Sequence, residues 1–397
     1  MHIVIFCEQH PHTLGGAQMS TLLQTKFLER AGHTVTYVSP ALRSGPLDDP
    51  QFIDLPSWRV PTVREYTWLW PTSQHLRLVA EKLSRRPPVD IVHVQSDFWG
   101  AAFGYRFAQQ NRKPIIHTMH HRLDIGVDGS IPFPGLFYAM LGRWQKWSLG
   151  ERFRRRPRNA FDYLAQYAAE ADVVVAPSEH FARLLTSRGV ATKAGALPTV
   201  IPTGVDDDVL HDVSRHETTS SGALTVAWVG RFSPEKRIIE FCGALRLIRS
   251  PISVTMVGDG ALRRKAESVA PDFVTFTGAL PYRDTLRVIA EADVLVQSSK
   301  DFETQGMTVS EAIALGTHVV IVDANIANEL PTGSFSVTRD LSAEALAEAL
   351  DSCANDIAHL RLLRKESVRH EFRQSSRTAE MIEIYNLMLG LGAPPRR

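Results

Sequence analysis

Short runs of Val, Ile and Leu recur along the chain, each followed by a longer stretch in which apolar residues return every third or fourth position. The runs are His2–Cys7, Thr34–Ser39, Ile91–Gln95, Ile115–Met119, Val173–Ala176 and Val200–Ile201, then Leu224–Val229, Ser253–Val257, Val274–Thr277, Val294–Gln297 and Val319–Val322. Nearly continuous β-branched runs predict parallel strands buried on both faces. The stretches between them predict helices, some with readable ends. Ser178 precedes the helix Glu179–Ser187, with Gly189 beyond it, and Ser233-Pro234 sets a capping hydroxyl before a proline at the first helical position. Strand–helix alternation in both halves predicts an α/β chain of two doubly wound domains. Periodicity is weakest over His211–Gly222, which places the linker at about 204–222. The expected division is 1–204, 205–375, and a helix and tail over 376–397 that ends in Gly-Ala-Pro-Pro-Arg-Arg.

A length of 397 residues fits two domains, and 44% hydrophobic with 22% charged residues excludes a disordered chain. Three widely spaced cysteines (Cys7, Cys242, Cys353) exclude a disulfide scaffold and fit a reducing compartment. The start lacks a basic n-region and no stretch reaches 18 apolar residues, so a cytoplasmic protein without a membrane span is expected. A net charge of +1 argues against a nucleic-acid partner, yet it is the sum of unequal halves: residues 1–204 carry 23 Lys+Arg against 16 Asp+Glu, residues 205–397 carry 21 against 27.

Three motifs could carry chemistry. Leu14-Gly15-Gly16-Ala17-Gln18 follows the first strand, where paired glycines let backbone N–H groups approach an anion; it also reads as a tight turn with no ligand, and it is not the dinucleotide fingerprint. Val229-Gly230-Arg231-Phe232-Ser233-Pro234-Glu235-Lys236 puts two cations at a helix start after the seventh strand; they suit a diphosphate, or are simply exposed. Glu303 and Glu311 stand eight residues apart around Gly306-Met307-Thr308, in a loop and in the helix after it; Glu311 also fits a helix-dipole role. Asp206-Asp207-Asp208 reads as a helix start or solvated loop, and no metal site is expected.

Glu-x7-Glu, with Gly-Arg-Phe-x3-Lys about 70 residues upstream, resembles the retaining GT-B glycosyltransferases of group 1. The resemblance extends through Gly15-Gly16, Gly32-His33-Thr34-Val35, Asp90-Ile91-Val92-His93-Val94, Thr118-Met119-His120 and Ile201-Pro202-Thr203-Gly204-Val205-Asp206. Glu303–Thr308, Pro177-Ser178 and Pro202-Thr203-Gly204 look most like bacterial diacylglycerol glucosyltransferases. The resemblance implies the GT-B fold: two Rossmann-like domains facing a cleft, with a C-terminal helix crossing back to the first. It implies a nucleotide-sugar donor, no cofactor and no metal. Arg231 and Lys236 would hold the diphosphate with Gly16 and Gly230 close by, Glu311 the ribose, and Glu303 the sugar. Gly306, Met307 and Thr308 would approach phosphates and sugar through their backbone, Thr277-Gly278 would pack around the base, and His120 would lie near the transferred sugar. Glu303, His120, Arg231 and Lys236 are thus the catalytic candidates. Arg237 stands where the family commonly has glycine, His318 where it has proline, and His121–Gly126 replaces the subfamily's aromatic-acidic stretch.

Seven basic residues fall within Arg143–Arg158 against one acid, and Ile131–Phe153 interleaves them with aromatic and aliphatic side chains. Trp144, Trp147, Arg152, Arg154, Arg155 and Arg156 suit an anionic membrane surface, although a core-facing aromatic stripe with a solvated basic face has the same spacing. The leading expectation is transfer of a hexose, UDP-glucose type favoured, to a membrane lipid such as diacylglycerol, at the inner face of the cell membrane. The alternatives are transfer of mannose or glucose to a phosphoinositol or soluble sugar acceptor, and a non-catalytic nucleotide-sugar-binding module.

Overall fold

The computed structural model describes residues 1–13, 15–59, 67–128, 133–213, 222–364 and 370–391. Leu14, Ile131-Pro132, most of the expected linker (214–221) and the tail from 392 lie outside the described residues. The strands, in chain order, are β1 (His2–Cys7), β2 (Thr34–Pro40), β3 (Phe52–Leu55), β4 (Trp58–Arg59), β5 (Thr67–Trp68), β6 (Ile91–Gln95), β7 (Ile115–Thr118), β8 (Val173–Ala176), β9 (Thr199–Val200), β10 (Leu224–Val229), β11 (Ile252–Val257), β12 (Val274–Gly278), β13 (Val294–Gln297), β14 (His318–Ile321) and β15 (Phe335–Val337). The chain divides into two compact units, Met1–Thr203 with the stretch from Arg377, and Gly204–Ser376.

The first unit is a parallel sheet in the order β3-β2-β1-β6-β7-β8-β9. Alternate residues of each strand feed two cores: Val4, Phe6, Val92 and Val94 on one face, Ile3, Ile5, Ile91 and Ile116 on the other. The C-terminal helix, Gln374–Met388, puts Met381 and Tyr385 into the second of these cores. Tyr385 OH lies 2.8 Å from His93 Nδ1 and accepts from Gln24 Nε2, in the helix Gly16–Arg30, at 3.5 Å. Its burial in this sheet's core is why the end of the chain returns to the first unit.

The second unit orders its parallel strands β12-β11-β10-β13-β14-β15, the doubly wound pattern of dinucleotide-binding sheets. Trp228, Val226 and Val294 pack on one face, Ala227, Leu295 and Ile321 on the other. In the two parallel sheets, β3 (Phe-Ile-Asp-Leu) and β15 (Phe-Ser-Val) escape the hydrophobic pattern because both are short edge strands with a polar residue inside; β4 and β5, which pair only with each other, are too short to show one. Ser178 caps its helix as expected, accepting from Phe181 N at 3.2 Å. Ser233 does not: its hydroxyl bonds to Glu235 Oε1 at 2.6 Å, Pro234–Lys236 form a 3-10 turn, and the α-helix starts only at Ile238.

Candidate functional site

In the second sheet the winding reverses between β10 and β13, and the loops leaving their C-terminal ends part there; open parallel sheets bind ligands in that crevice. Lys236, in the turn after β10, pairs through Nζ with Glu303 Oε1, in the loop after β13. Ser299 Oγ donates to the same oxygen at 2.7 Å. Ser298 ties the two loops together, donating to Lys236 O at 2.6 Å and accepting from Trp228 Nε1 at 2.9 Å. Burial alone would raise Glu303, but Lys236 and Ser299 outweigh it and hold the carboxyl below its usual range, so it is anionic at neutral pH.

Gly306 has φ +78 and begins the helix Met307–Ala314, whose first-turn N–H groups, those of Met307 and Thr308 included, are the ones a helix leaves unpaired internally. Glu311 lies on this helix, 5% exposed. Burial pushes its carboxyl up to about 7; the neighbouring Tyr282 hydroxyl, which has no partner of good geometry among the described residues, draws it back only in part.

The ends of β10, β11 and β12 are stitched into one edge. Gly230 N donates to Val257 O at 3.0 Å, Gly258 N to Gly278 O at 2.9 Å, and Thr277 Oγ1 to Gly278 O at 2.8 Å. Gly258 has φ +134, and a Cβ there would come within 1.9 Å of Gly230 O. The structure therefore brings Gly230, Thr277 and Gly278 together, while Arg231 is exposed beside them. Arg237 adopts φ +51, so the position that commonly carries glycine is left-handed here too; Nη2 donates to Leu341 O at 2.8 Å. His318 opens β14 with Nε2 2.9 Å from Ser336 Oγ, and burial lowers its ring to about 4. Asp206 Oδ1 accepts from Asp208 N at 3.0 Å at a helix start, and Asp207 accepts from Ser375 N at 3.1 Å. Among the described residues no group of acidic, His or Cys side chains could hold a metal ion.

In the first unit the winding reverses between β1 and β6. Gly16 begins the helix Gly16–Arg30 after β1. His120 follows β7, with N–H donating to Asp97 Oδ2 at 3.2 Å and Nε2 3.1 Å from Gln95 Oε1. Burial, then His121, lowers it to about 4. Asp97 and His121 adjoin it, with Glu8 next to His121; Glu8 and Asp97 were not legible as site residues, since each follows a strand singly, outside any motif.

Comparison with known proteins decides the family. The model of Glycosyltransferase Family 4 matches residues 14–209, and that of Glycosyl transferases group 1 matches residues 223–356, so that together they span most of the chain. The chain belongs to the group 1 glycosyltransferases. This glycosyltransferase is 24% identical over 337 residues to the alpha-monoglucosyldiacylglycerol synthase of Streptococcus pneumoniae (81% of this chain, 70% of that one). It is 27% identical over 371 residues to the GDP-mannose-dependent alpha-(1-6)-phosphatidylinositol dimannoside mannosyltransferase of Mycobacterium tuberculosis (88% and 84%). Sucrose-phosphate synthase from Thermosynechococcus elongatus superposes with a TM-score of 0.71 at 20% identity, over 98% of this chain and 99% of that one. Anabaena HepE in complex with UDP-glucose gives 0.68 at 16%, over 98% and 100%. The fold is GT-B.

The basic segment of this glycosyltransferase differs from the expectation in one respect. Trp144 does not face a membrane: it is 2% exposed, clustered with Trp68, Trp70 and Trp99. Trp147 is half-buried against Phe103, with the Arg106 guanidinium 5.2 Å from its ring. Helix Pro134–Leu149 turns its Leu141-Trp144-Gln145-Ser148 face to the core and Arg143 and Lys146 to solvent. The exposed apolar residues lie instead at its start, Phe133 (81%) and Leu136 (74%). They line a cavity of about 690 Å³ with Phe137, Met140 and Phe153, and with Arg143, Lys146 and Arg156. Arg152, Arg154, Arg155 and Arg156 are all exposed; Arg155 pairs with Asp162 at 3.0 Å and Arg152 with Glu170 at 3.4 Å. Among the described residues no helix is long and apolar enough to cross a membrane.

Proposed function

We propose that this chain is a retaining hexosyltransferase that moves glucose from UDP-glucose to a membrane lipid such as diacylglycerol, forming an α-glycosidic bond. The observation that carries the donor half is the Lys236–Glu303 pair at the reversal of the second sheet, beside the helix start at Gly306. Breaking a glycosyl–phosphate bond develops negative charge on the leaving diphosphate. Arg231, Lys236 and the Met307 and Thr308 amides supply fixed positive partners for it without a metal. Glu303 then orients the sugar hydroxyls, Glu311 holds the ribose, and the base packs at Thr277-Gly278, with Gly16 and Gly230 near the diphosphate. Attack comes from the same face as departure, with the leaving phosphate taking the acceptor proton, so Glu303 need not form a covalent bond. His120, neutral at physiological pH, faces the transferred sugar.

The acceptor half rests on the similarity to a diacylglycerol glucosyltransferase and on the exposed Phe133 and Leu136 next to unburied cations, an arrangement suited to the anionic inner face of the cell membrane. Similarity to a phosphatidylinositol dimannoside mannosyltransferase favours a second reading, mannose transfer to a phosphoinositol acceptor. The test is incubation of the protein with UDP-glucose, UDP-galactose and GDP-mannose and a total lipid extract, followed by product mass. A hexosyl-diacylglycerol made from UDP-glucose is expected. A mannosylated phosphoinositide made from GDP-mannose selects the second reading. Tight nucleotide-sugar binding with neither transfer nor slow hydrolysis indicates a non-catalytic module.

A further inference from the structure

The first unit holds a set of buried ionisable groups that the donor chemistry leaves unused. Asp97, fully buried after β6, receives three hydrogen bonds on Oδ2 from the residues after β7: His120 N–H at 3.2 Å, His121 N–H at 3.0 Å and His121 Nδ1 at 2.6 Å. Its Oδ1 lies 3.4 Å from His117 Nε2, but that ring is satisfied elsewhere, by Ser96 O and Tyr105 OH, each at 3.0 Å. Glu8, at the end of β1, accepts from Ser96 Oγ and from Phe98 N at 3.0 Å, and its buried Oε1 has no partner among the described residues.

These contacts leave two consecutive histidines in different states. Burial and then His121 lower His120 against the opposing pull of Asp97, whereas for His121 the Asp97 carboxylate and then Glu8 outweigh burial and raise it. Glu8 is pushed up to about 7 by burial against the pull of His121. The ionisable groups facing His121 are therefore Glu8, just after β1, Asp97, after β6, and His120, after β7, with His117 of β7 near the other oxygen of Asp97. With Nδ1–H donated to Asp97, Nε2 is a second donor in the imidazolium form that Asp97 favours, and the side chain is 34% exposed.

We propose that Asp97 is a positioning residue for transfer: through one oxygen it fixes the His120 backbone and both the backbone and ring of His121, so that His121 offers Nε2–H to a negatively charged oxygen of a substrate at this end of the sheet. The inference rests on the glycosyltransferase reading above and adds His121 as a binding residue. The oxygen belongs either to the donor diphosphate or, with the phosphoinositol acceptor of the second reading, to the acceptor phosphate.

The test begins with the wild type, whose histidines are labelled with nitrogen-15. His121 is expected to titrate above an ordinary histidine, and its Nε2 signal to move on addition of UDP-glucose or of inositol 1-phosphate. An Nε2 signal unmoved by both overturns the proposal, whether or not the protein transfers sugar. Kinetics follow with Asp97→Asn, which keeps the shape and an oxygen for the two amides but cannot hold an imidazolium. Its kcat/KM is expected to fall at least tenfold, with the alkaline limb of the pH profile moved to lower pH; Glu8→Gln moves it the same way by less. A structural role alone would lower Tm and leave that limb in place, which overturns the proposal. His121→Gln separates the sources: a rise in the acceptor KM alone assigns the oxygen to the acceptor, and a rise in the nucleotide-sugar KM alone assigns it to the donor. A rise in neither overturns the proposal. Absence of product from the wild type with every nucleotide sugar fails the glycosyltransferase reading instead, and the nitrogen-15 titration still tests His121.

Discussion

Lys236 and Glu303 leave adjacent strands of the second sheet, β10 and β13, and meet where the winding of that sheet reverses. The pair makes Glu303 a charged group at low solvent exposure, with Ser299 fixing the same oxygen, so its geometry is set before any ligand enters.

Glu303→Ala is expected to lower kcat by about 10²–10³-fold, the usual effect of deleting one preorganised polar group at a reacting centre. Glu303→Gln keeps the shape and loses the charge that holds Lys236, so it should lie between the two. Steady-state transfer measured on folded variants checks this. Turnover by Glu303→Ala at the wild-type rate would remove Glu303 from the chemistry.

Gly258→Ala tests the edge formed by β10, β11 and β12. Alanine at φ +134, with its Cβ driven against Gly230 O, costs about 1–3 kcal/mol in backbone strain alone and must displace the Gly230 loop. A lower Tm together with a raised KM for the nucleotide sugar is expected. A lower Tm with unchanged KM would place the donor elsewhere.

Most strands of both sheets were legible because residues buried on two faces leave no polar alternation; the edge strand β12 alternates instead, Val-Thr-Phe-Thr with its threonines exposed, and β3 and β15 were missed because Asp54 and Ser336 interrupt them. The Glu303/Glu311 spacing is visible in the chain, but the partnership of Glu303 with Lys236, 67 residues away, depends on strand order. A helical stripe such as Leu141-Trp144-Gln145-Ser148 reads the same whether it meets a core or a membrane; only Trp68, Trp70 and Trp99 decide it, and they come from elsewhere in the sequence. Asp97 is a single acid after a strand, and its three hydrogen bonds come from a neighbouring strand end.

Co-sedimentation with vesicles tests the acceptor surface. Binding to phosphatidylglycerol-containing vesicles and not to phosphatidylcholine alone is expected. Each basic residue near an anionic surface contributes about 1 kcal/mol, and Arg155 is already paired with Asp162. Replacement of Arg154, Arg155 and Arg156 with serine should therefore weaken binding by about tenfold or more. Phe133→Ser with Leu136→Ser should weaken it further, while Trp144 variants should act through stability instead. Equal binding by wild type and the triple variant would reject the membrane surface.

Glu311 gives stability a pH dependence of defined sign. Its carboxyl titrates at about 7 in the folded chain and near 4.5 when unfolded, so between these values the folded state holds the proton that the unfolded state has lost. The favourable contribution is complete below pH 4.5 and disappears as pH rises through 7, a change on the order of 3 kcal/mol. Glu311→Gln cannot ionise, so its stability relative to wild type should climb across that window and exceed it at pH 8, even as nucleotide-sugar binding weakens with loss of the ribose contact. Urea denaturation of both proteins at pH 5 and pH 8 measures the difference. A constant difference at the two pH values would mean that Glu311 is ionised in the folded chain throughout, with a compensating partner near its carboxylate.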